Sequence, residues 1–152
     1  MKSASINTLR NMTLPKMRGE VIGKLVSGTW CVHEDTSIIE TADRLEELPT
    51  VEAVGVVDNS GKTVGLLIRR DLFGILGKQY GRDVLKKKVV SEIMIPFSGF
   101  LYDRNLFSVS DELETQLRTG ETVYFAVKDH QENFLGVFSS IDLLIHLSTI
   151  TK

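Results

Sequence analysis

The segment AVGVVDNSGKTVGLLIRRDLF, from Ala53 to Phe73, determines how the rest of this 152-residue chain is interpreted. Its first five residues form a β-prone apolar run. The next five, Asp58 to Lys62, have the composition of a turn, because Asp, Asn and Gly tolerate left-handed backbone dihedrals. A second apolar run, Val64 to Ile68, has the length of a buried strand and is too short for a helix. Asp71 then opens a helical segment, so the order predicted is strand, turn, strand and helix.

The same order of features returns near the C-terminus, in YFAVKDHQENFLGVFSSIDLL from Tyr124 to Leu144. Three residues recur after 71 positions in each case: Asp58 as Asp129, Gly65 as Gly136, and Asp71 as Asp142. A repeat of this kind must be settled before any other fold assignment. The chain therefore predicts two copies of one structural unit.

A helix is predicted ahead of each hairpin. In the first copy, Ser37 to Glu40 has the pattern of a capping box, and apolar residues then recur at helical spacing until Pro49. In the second copy, Leu106 to Leu117 carries apolar residues three and four positions apart, which predicts one amphipathic helix ending near Gly120. With short first strands at Trp30–Val32 and Phe100–Tyr102, each copy reads β-α-β-β-α.

Residues 136–142, GVFSSID, read glycine, two apolar residues, Ser, two further residues and Asp after a hairpin, and residues 65–71, GLLIRRD, repeat this order except at the Ser position. This pattern resembles the motif of the cystathionine-β-synthase (CBS) domain pair, also called a Bateman module. The resemblance covers residues 21–150. It implies an α/β (α+β) fold of tandem β-α-β-β-α repeats related by a pseudo-twofold axis, with the central strands back to back and the helices outside. The units expected are an N-terminal arm (residues 1–20), repeat 1 (21–77), a linker (78–90) and repeat 2 (91–152). Short helices are expected before each first strand, at Met17–Val26 and Ser91–Met94, and a closing helix at Ile141–Leu147.

Composition argues against several classes of function. The net charge of −2 does not match the basic footprint of a general nucleic-acid binder. No apolar run approaches the roughly 20 residues that span a bilayer. Cys31 is the single cysteine, which excludes an intrachain disulfide and favours a reducing, cytoplasmic compartment. The three histidines have neither metal-ligand spacing nor a neighbouring nucleophile motif, so no catalytic residue and no metal site are predicted.

The resemblance implies a ligand site built around Asp142. In CBS pairs the motif Asp accepts hydrogen bonds from the ribose hydroxyls of an adenosine ligand, and the Ser three residues earlier contacts ribose or phosphate. A carboxylate at a helix start is stabilised by the helix N-terminus, and its two oxygens can accept from both hydroxyls of a cis-diol. The alternative is a residue that only caps its helix. Carried over from the family, the predicted site consists of eight residues: Gly28, Thr29, Trp30, Glu52, Ala53, Val137, Ser139 and Asp142.

The two copies of the motif differ at one position. Repeat 2 has Ser139, whereas repeat 1 has Ile68 at the matching position. An isoleucine removes a polar partner and adds bulk, so a second site is expected to be weak or empty. Its residues would be Asp71, Phe100, Val123 and Tyr124.

Phosphate recognition is expected to be limited. Family pockets for di- and triphosphates present basic residues at the strand starts, where this chain has Glu52 in one repeat and Val123 and Tyr124 in the other. The nearest cations in sequence are Arg69, Arg70 and Lys128. Among AMP, ADP, ATP and S-adenosylmethionine, AMP or an adenosyl compound is therefore favoured over ATP.

The resemblance implies a non-catalytic regulatory module for signal transduction, which senses an adenine nucleotide or adenosyl ligand and controls an attached or associated effector domain. The alternative is a structural dimerisation module with vestigial nucleotide pockets. A homodimer is expected in either case, because CBS pairs commonly dimerise through their outer helices. Phe73, Ile75 and Ile145 are the apolar residues expected at that interface.

Overall fold

The computed structural model of the chain describes residues 20–150. Repeat 1 contains β1 (Cys31–His33), α1 (Ile38–Glu46), β2 (Ala53–Val57), β3 (Thr63–Ile68) and α2 (Arg69–Leu76). The connection between the repeats contains α3 (Gly81–Leu85) and the short strand β4 (Ile95–Pro96). Repeat 2 contains β5 (Phe100–Leu101), α4 (Leu106–Glu112), α5 (Glu114–Arg118), β6 (Tyr124–Lys128), β7 (Phe134–Ser139) and α6 (Ser140–Ile150). Two 3₁₀ turns, Ile22–Leu25 and Val90–Glu92, precede the first strands of the repeats.

The strands form two sheets with matching topology. In the first sheet the order is β1-β2-β3-β4, and in the second it is β5-β6-β7. The first strand of each repeat pairs parallel to the second, and the second and third strands pair antiparallel. The hairpin register is the same in both: Ala53 lies opposite Ile68, and Tyr124 lies opposite Ser139. The mixed α/β fold and the repeated strand order predicted from the sequence are confirmed.

The two hairpin turns are closed by the same side-chain device. Asp58 Oδ1 accepts from the backbone N–H groups of Ser60 (2.8 Å) and Lys62 (3.0 Å). Asp129 Oδ1 accepts from the N–H groups two and four residues later, both at 2.9 Å. An Asp that bonds its own following backbone fixes a tight turn. The aspartates that mark the repeat in the sequence therefore shape the turns.

The central strands of the two repeats pack face to face. A small shared core lies between the sheets, and each repeat has its own larger core beneath its helices. The buried members of the shared core are Ala53, Leu66, Ile68, Ala126 and Val137. Because β2 and β3 are buried along nearly their whole length, they read as continuous apolar runs and not as alternating patterns.

Several local predictions are corrected. The helix predicted over Leu106–Leu117 is two helices with a break at Leu113, whose backbone (φ −96°, ψ 8°) is not helical. Leu113 is nevertheless buried, so the apolar spacing identified the buried side chains without indicating a continuous backbone. The closing helix is longer than Ile141–Leu147, and both first strands are displaced by one residue or shortened.

The segments between elements also differ from the predictions. The linker contains α3, which has little helical signal because it is short and begins with glycine. Packing holds it: Leu85 is buried, and a Cβ at Gly81 would overlap the Ile75 carbonyl oxygen. The helix expected at Ser91–Met94 is the 3₁₀ turn Val90–Glu92. Of the helix expected at Met17–Val26, residues 17–19 lie outside the described residues, and only Ile22–Leu25 forms a 3₁₀ turn.

The apolar surface differs from the one predicted for an interface. Phe73 and Ile75 are half-buried against the core of repeat 1, with the Arg69 guanidinium 5.1 Å from the Phe73 ring centroid. Ile145 is 61% exposed, as predicted, and Ile141 and Leu144 on the same helix are also exposed. The exposed apolar stripe therefore lies on α6 and not on α2.

Candidate functional site

Asp71 and Asp142 occupy equivalent positions, each the third residue of the last helix of its repeat. A cleft opens beside each of them at the boundary between the repeats. The cleft beside Asp142, called here the Asp142 cleft, has a volume of about 410 Å³. It is lined by all eight residues predicted for the main site, together with Ser27, Thr50, Val51, Tyr124 and Phe138. The structure thus brings together side chains from residues 27–53 and 124–142.

Ser139 and Asp142 are joined by two reciprocal hydrogen bonds. The Asp142 backbone N–H donates to Ser139 Oγ (3.0 Å), and the Ser139 N–H donates to Asp142 Oδ2 (2.9 Å). This is a capping box, in which the N-cap residue is Ser139 and the acidic partner is Asp142. The box holds the Asp142 side chain in one orientation. Within residues 20–150 the Oδ1 atom makes no hydrogen bond, so this oxygen can accept from a bound hydroxyl.

The segment before β1, residues 26–30, crosses the third strand of the other repeat. Ser27 N–H donates to the Val137 carbonyl (2.9 Å), and Val137 N–H donates to the Gly28 carbonyl (2.8 Å). The crossing depends on Gly136, where a Cβ would overlap Val26 Cγ1 and lie 2.6 Å from the Gly28 oxygen. The motif glycine therefore allows repeat 1 to supply one wall of a cleft whose capping box belongs to repeat 2.

Two of the residues predicted to line the site, Trp30 and Ala53, also pack within the hydrophobic cores. Trp30 packs against the core of repeat 1, and the Arg44 guanidinium lies 5.7 Å from its ring centroid. Ala53 is 3% exposed and belongs to the shared core. Trp30 and Ala53 are therefore fixed in position by packing that does not require a ligand.

Tyr124 lies between the two clefts and lines both of them. The sequence assigned it only to the weaker site, because strand position alone does not show how far a large side chain reaches. Burial raises the pKa of its phenol, and the carboxylates of Glu52 and Asp142 raise this pKa further, while the Arg70 guanidinium opposes them. The phenol therefore remains protonated at neutral pH.

The cations considered for phosphate binding do not line the Asp142 cleft, and two of them, Arg69 and Arg70, line an adjoining hollow that shares Glu52 with it. Arg69 donates to three backbone carbonyls at the end of α1 and after it, at 2.8–3.3 Å, and so closes the end of that helix. Lys128 lies 3.4 Å from Glu132 at the hairpin end of the sheet. Arg70 lines the other cleft. Among the described residues the Asp142 cleft is lined by two carboxylates and by no Lys, Arg or His.

The cleft beside Asp71, the Asp71 cleft, has a volume of about 330 Å³. It is lined by all four residues predicted for the weaker site, with Arg70 and a largely apolar wall. The N-cap of α2 is Ile68, which has no side-chain acceptor, so no capping box forms. Asp71 instead lies 3.7 Å from the Arg70 Nε, and both side chains are more than half exposed.

Other chemistry is not apparent in residues 20–150. No group of three His, Cys, Asp or Glu side chains is arranged to bind a metal ion there. His130 and His146 each pair with one carboxylate, Asp103 at 2.7 Å and Glu20 at 2.8 Å. In the same part of the chain, no helix has both the length and the apolar character needed to cross a membrane.

Comparison with known proteins connects this architecture to a family. Residues 17–78 match the CBS domain family. The uncharacterized protein MJ1404 of Methanocaldococcus jannaschii is 22% identical over 142 residues, which are 90% of this chain and 31% of that protein. The chain therefore spans about a third of the length of this relative.

Solved structures share the fold over nearly the whole chain. CBSX2 from Arabidopsis thaliana, in its complex with AMP, has a TM-score of 0.62 at 21% identity, covering 88% of this chain and 100% of that one. The CBS domain pair of MJ0100, in complex with 5′-methylthioadenosine and S-adenosyl-L-methionine, has a TM-score of 0.60 at 21% identity, covering 85% and 96%. A CBS domain-containing protein from Bacillus anthracis has a TM-score of 0.68 at 15% identity, covering 90% and 99%. Residues 17–78 therefore match a CBS domain, and the chain as a whole shares the fold of CBS domain pairs, with a second unit of the same element order after the matched residues.

Proposed function

We propose that this chain is a regulatory module that binds an adenosine-containing molecule in the Asp142 cleft. The observation that carries the proposal is the capping box at Ser139 and Asp142, which holds a carboxylate at a cleft wall and leaves one of its oxygens unbonded within the described residues. A ribose diol can donate to such a carboxylate. Related CBS pairs in complexes with AMP, or with 5′-methylthioadenosine and S-adenosyl-L-methionine, support a ligand of this class.

The negative charge of the Asp142 cleft should favour ligands that carry positive charge over ligands that carry phosphates. Glu52 and Asp142 give it two carboxylates, and its remaining polar side chains are neutral: the indole of Trp30 and the hydroxyls of Ser27, Thr29, Thr50, Tyr124 and Ser139. Opposite charges a few ångströms apart attract by about 4 kcal/mol near a protein surface, and like charges repel by as much. S-adenosylmethionine carries a positive sulfonium, whereas ATP carries several negative charges. We therefore expect affinity to fall in the order S-adenosylmethionine, AMP, ATP.

Titration calorimetry with these three compounds tests the proposal. A ligand at 100 times its dissociation constant also adds about 2.7 kcal/mol to the free energy of unfolding, which provides an independent thermal-shift readout. Glu52→Gln is the matched variant, because it removes one exposed carboxylate and retains the shape. It should weaken S-adenosylmethionine binding and strengthen AMP binding. Tighter binding of ATP than of S-adenosylmethionine would contradict the assignment.

The regulatory output is proposed to pass through a homodimer in the cytoplasm. Ile141, Leu144 and Ile145 form an exposed apolar stripe on α6, at positions i, i+3 and i+4. A ligand can shift such an assembly toward one state only if it binds that state more tightly. An effector domain, fused or associated, would read the shift.

The second candidate function is a dimerisation module without a ligand, and the same stripe, together with Ile68 in place of a hydroxyl, favours it. Light scattering on the wild type and on Ile145→Glu measures the dimer separately from the calorimetry. A dimer that Ile145→Glu dissociates, combined with no heat from any of the three compounds, would establish the second function in place of the first.

A further inference from the structure

The connection between the repeats carries a concentration of exposed positive charge. Residues 78–88 contain five of the 18 Lys and Arg residues of the chain and a single carboxylate, Asp83, although the whole chain has a net charge of −2. The exposed members of this segment, called here the linker patch, are Lys78, Tyr80, Arg82, Val84, Lys86 and Lys87, with the partly exposed Lys88 at its margin. A chain with a net negative charge therefore presents a basic surface at this segment.

Most of this positive charge lacks an ionic partner. Lys78, Lys86 and Lys87 form no ion pair within residues 20–150. The pairs formed by the other two cations are Arg82 with Asp43 (3.3 Å) and Lys88 with Glu92 (3.7 Å), and all four of these side chains are exposed. Because exposed ion pairs contribute little, the fold does not neutralise the patch. A partner that supplies negative charge would do so.

Two apolar side chains are exposed among the cations. Tyr80 is 68% exposed, the largest fraction among the large hydrophobic side chains of residues 20–150, and Val84 is 58% exposed. The Val84 N–H donates to the Tyr80 carbonyl (2.9 Å), as in a helical turn, so the two residues share one face of α3. The patch therefore combines apolar and basic side chains on one surface.

The backbone at Tyr80 is strained, and packing holds it in place. Its φ of 65° lies in the left-handed region, which is unfavourable for a bulky residue. The next residue, Gly81, lies so close to Ile75 that a Cβ would overlap the carbonyl oxygen, and Leu85 is buried. Strained residues of this kind cluster at functional sites. An aromatic residue is thus exposed where glycine or asparagine would fit the backbone better.

The shape of the surface indicates the kind of partner. Neither the Asp142 cleft nor the Asp71 cleft is lined by residues 78–88. An acidic peptide usually docks in a groove or on a sheet edge. Single-stranded nucleic acid stacks its successive bases on several aromatic side chains, whereas the patch has one. A lipid bilayer is a broad surface that needs neither.

We propose that the linker patch binds the surface of an anionic lipid bilayer. Tyr80 has the amphipathic ring that suits the headgroup level, and Val84 lies on the same face. The lysines attract the anionic headgroups and can lay their apolar stems along the interface. This contact places the chain on a membrane without a membrane-spanning helix, and it does not depend on adenosine binding.

Sedimentation of the full chain with lipid vesicles tests the proposal. At low salt, the chain should bind vesicles with about one-third phosphatidylserine at least about tenfold more tightly than vesicles of phosphatidylcholine alone. Because salt screens exposed charges, about 0.5 M NaCl should reduce this binding at least about tenfold. Similar binding to both kinds of vesicle, or binding that resists salt, would overturn the proposal. An oligothymidylate added at the phosphate concentration of the lipid should release less than half of the bound protein. Release of half or more would assign the patch to nucleic acid instead.

A matched pair of double variants locates the contact. Lys86→Gln/Lys87→Gln should weaken vesicle binding at least about tenfold, since each lysine near an anionic surface contributes about fivefold. Lys24→Gln/Arg118→Gln removes the same charge at exposed positions outside the patch. This control should change the binding less than about threefold. An equal loss from both double variants would show that net charge alone drives binding, which would overturn the assignment.

Tyr80→Asn separates binding from folding. Asn adopts the left-handed backbone more readily, so the variant should unfold at the same temperature as the wild type or a higher one. It should nevertheless bind the vesicles at least about threefold more weakly, because the aromatic ring is lost. Unchanged binding would contradict the contact proposed for Tyr80. Calorimetry with S-adenosylmethionine reports on the Asp142 cleft, which shares no residue with the patch, so the two proposals succeed or fail separately.

Discussion

The two clefts are built on the same hairpin register and the same helix position, yet they offer different chemistry. Beside Asp142 there are a capping box, several hydroxyls and two carboxylates. Beside Asp71 there are an exposed ion pair and a wall of phenylalanines. Repeat 2 has Ser139 where repeat 1 has Ile68, so only repeat 2 can form the capping box. The side chains at the start of the second strand also differ between the repeats, so the walls of the two clefts differ. A repeated backbone therefore does not imply a repeated ligand.

The two hairpin turns also differ at one matching position, which is a glycine in repeat 1 and a charged residue in repeat 2. Gly61 in the first turn and Glu132 in the second are 71 positions apart, and both have left-handed backbones, with φ of 84° and 69°. A left-handed non-glycine residue is strained by about 1–2 kcal/mol. Glu132 has compensating contacts, since its carboxylate lies 3.3 Å from Lys62 Nζ and 3.4 Å from Lys128 Nζ. Through Lys62 and the bond from Thr63 N–H to the Glu132 carbonyl (2.9 Å), this turn joins the repeats.

The largest effect is expected from substitution of the motif glycines. Gly136→Ala should lower the free energy of unfolding by about 3 kcal/mol, because overpacking against a backbone oxygen and a branched side chain cannot relax easily. Gly65→Ala should have a smaller effect, about 1–2 kcal/mol, since its nearest neighbour is the flexible Met94 side chain, with the Ile95 oxygen 2.8 Å away. Urea unfolding of the two variants measures the difference. Equal losses would show that Gly65 is packed as tightly against Met94 and Ile95 as Gly136 is against Val26 and Gly28.

The next effect concerns helix capping. Ser139→Ala removes the acceptor for the Asp142 N–H and should lower the free energy of unfolding by about 1 kcal/mol. Asp71→Ala is the comparison in repeat 1, where no box exists, and should change stability by less than about 0.5 kcal/mol. Thermal unfolding of both variants checks the contrast, and a large loss for Asp71→Ala would contradict the account of the first repeat.

The sequence contained most of the fold because the decisive features are local. The turn aspartates, the motif glycines and the apolar runs each act on their own neighbourhood, and the hairpins and last helices follow from them. The break at Leu113 and the helix α3 could not be predicted, since tertiary packing and not local propensity creates them. At the candidate site, the eight residues predicted from the sequence line one cleft. The contact of Tyr124 with both clefts could not be predicted, because it depends on how far its side chain extends. The position of Arg69 could not be predicted either, because its guanidinium binds backbone carbonyls such as that of Leu45, which no sequence motif identifies.

The smallest effect expected is pH dependent and concerns the turn that joins the repeats. Hydrogen bonding to Lys62, and then to Lys128, lowers the pKa of Glu132. A lowered folded-state pKa contributes stability that is present above the unfolded pKa and is lost as the pH falls through the folded value. The stability difference between the wild type and Glu132→Gln should therefore be present at pH 7 and vanish in acid. A difference independent of pH would show that the carboxylate charge is not involved.

The central claim is that the Asp142 cleft is the adenosine site and the Asp71 cleft is not. Calorimetric titration of Asp142→Ala and Asp71→Ala with S-adenosylmethionine tests it most directly, with unfolding curves as the control for folding. Losing hydrogen bonds to a charged acceptor removes about 1.5–3 kcal/mol, so Asp142→Ala should bind at least about tenfold more weakly, whereas Asp71→Ala should stay within about twofold of the wild type. Equal losses, or a larger loss for Asp71→Ala, would contradict the claim.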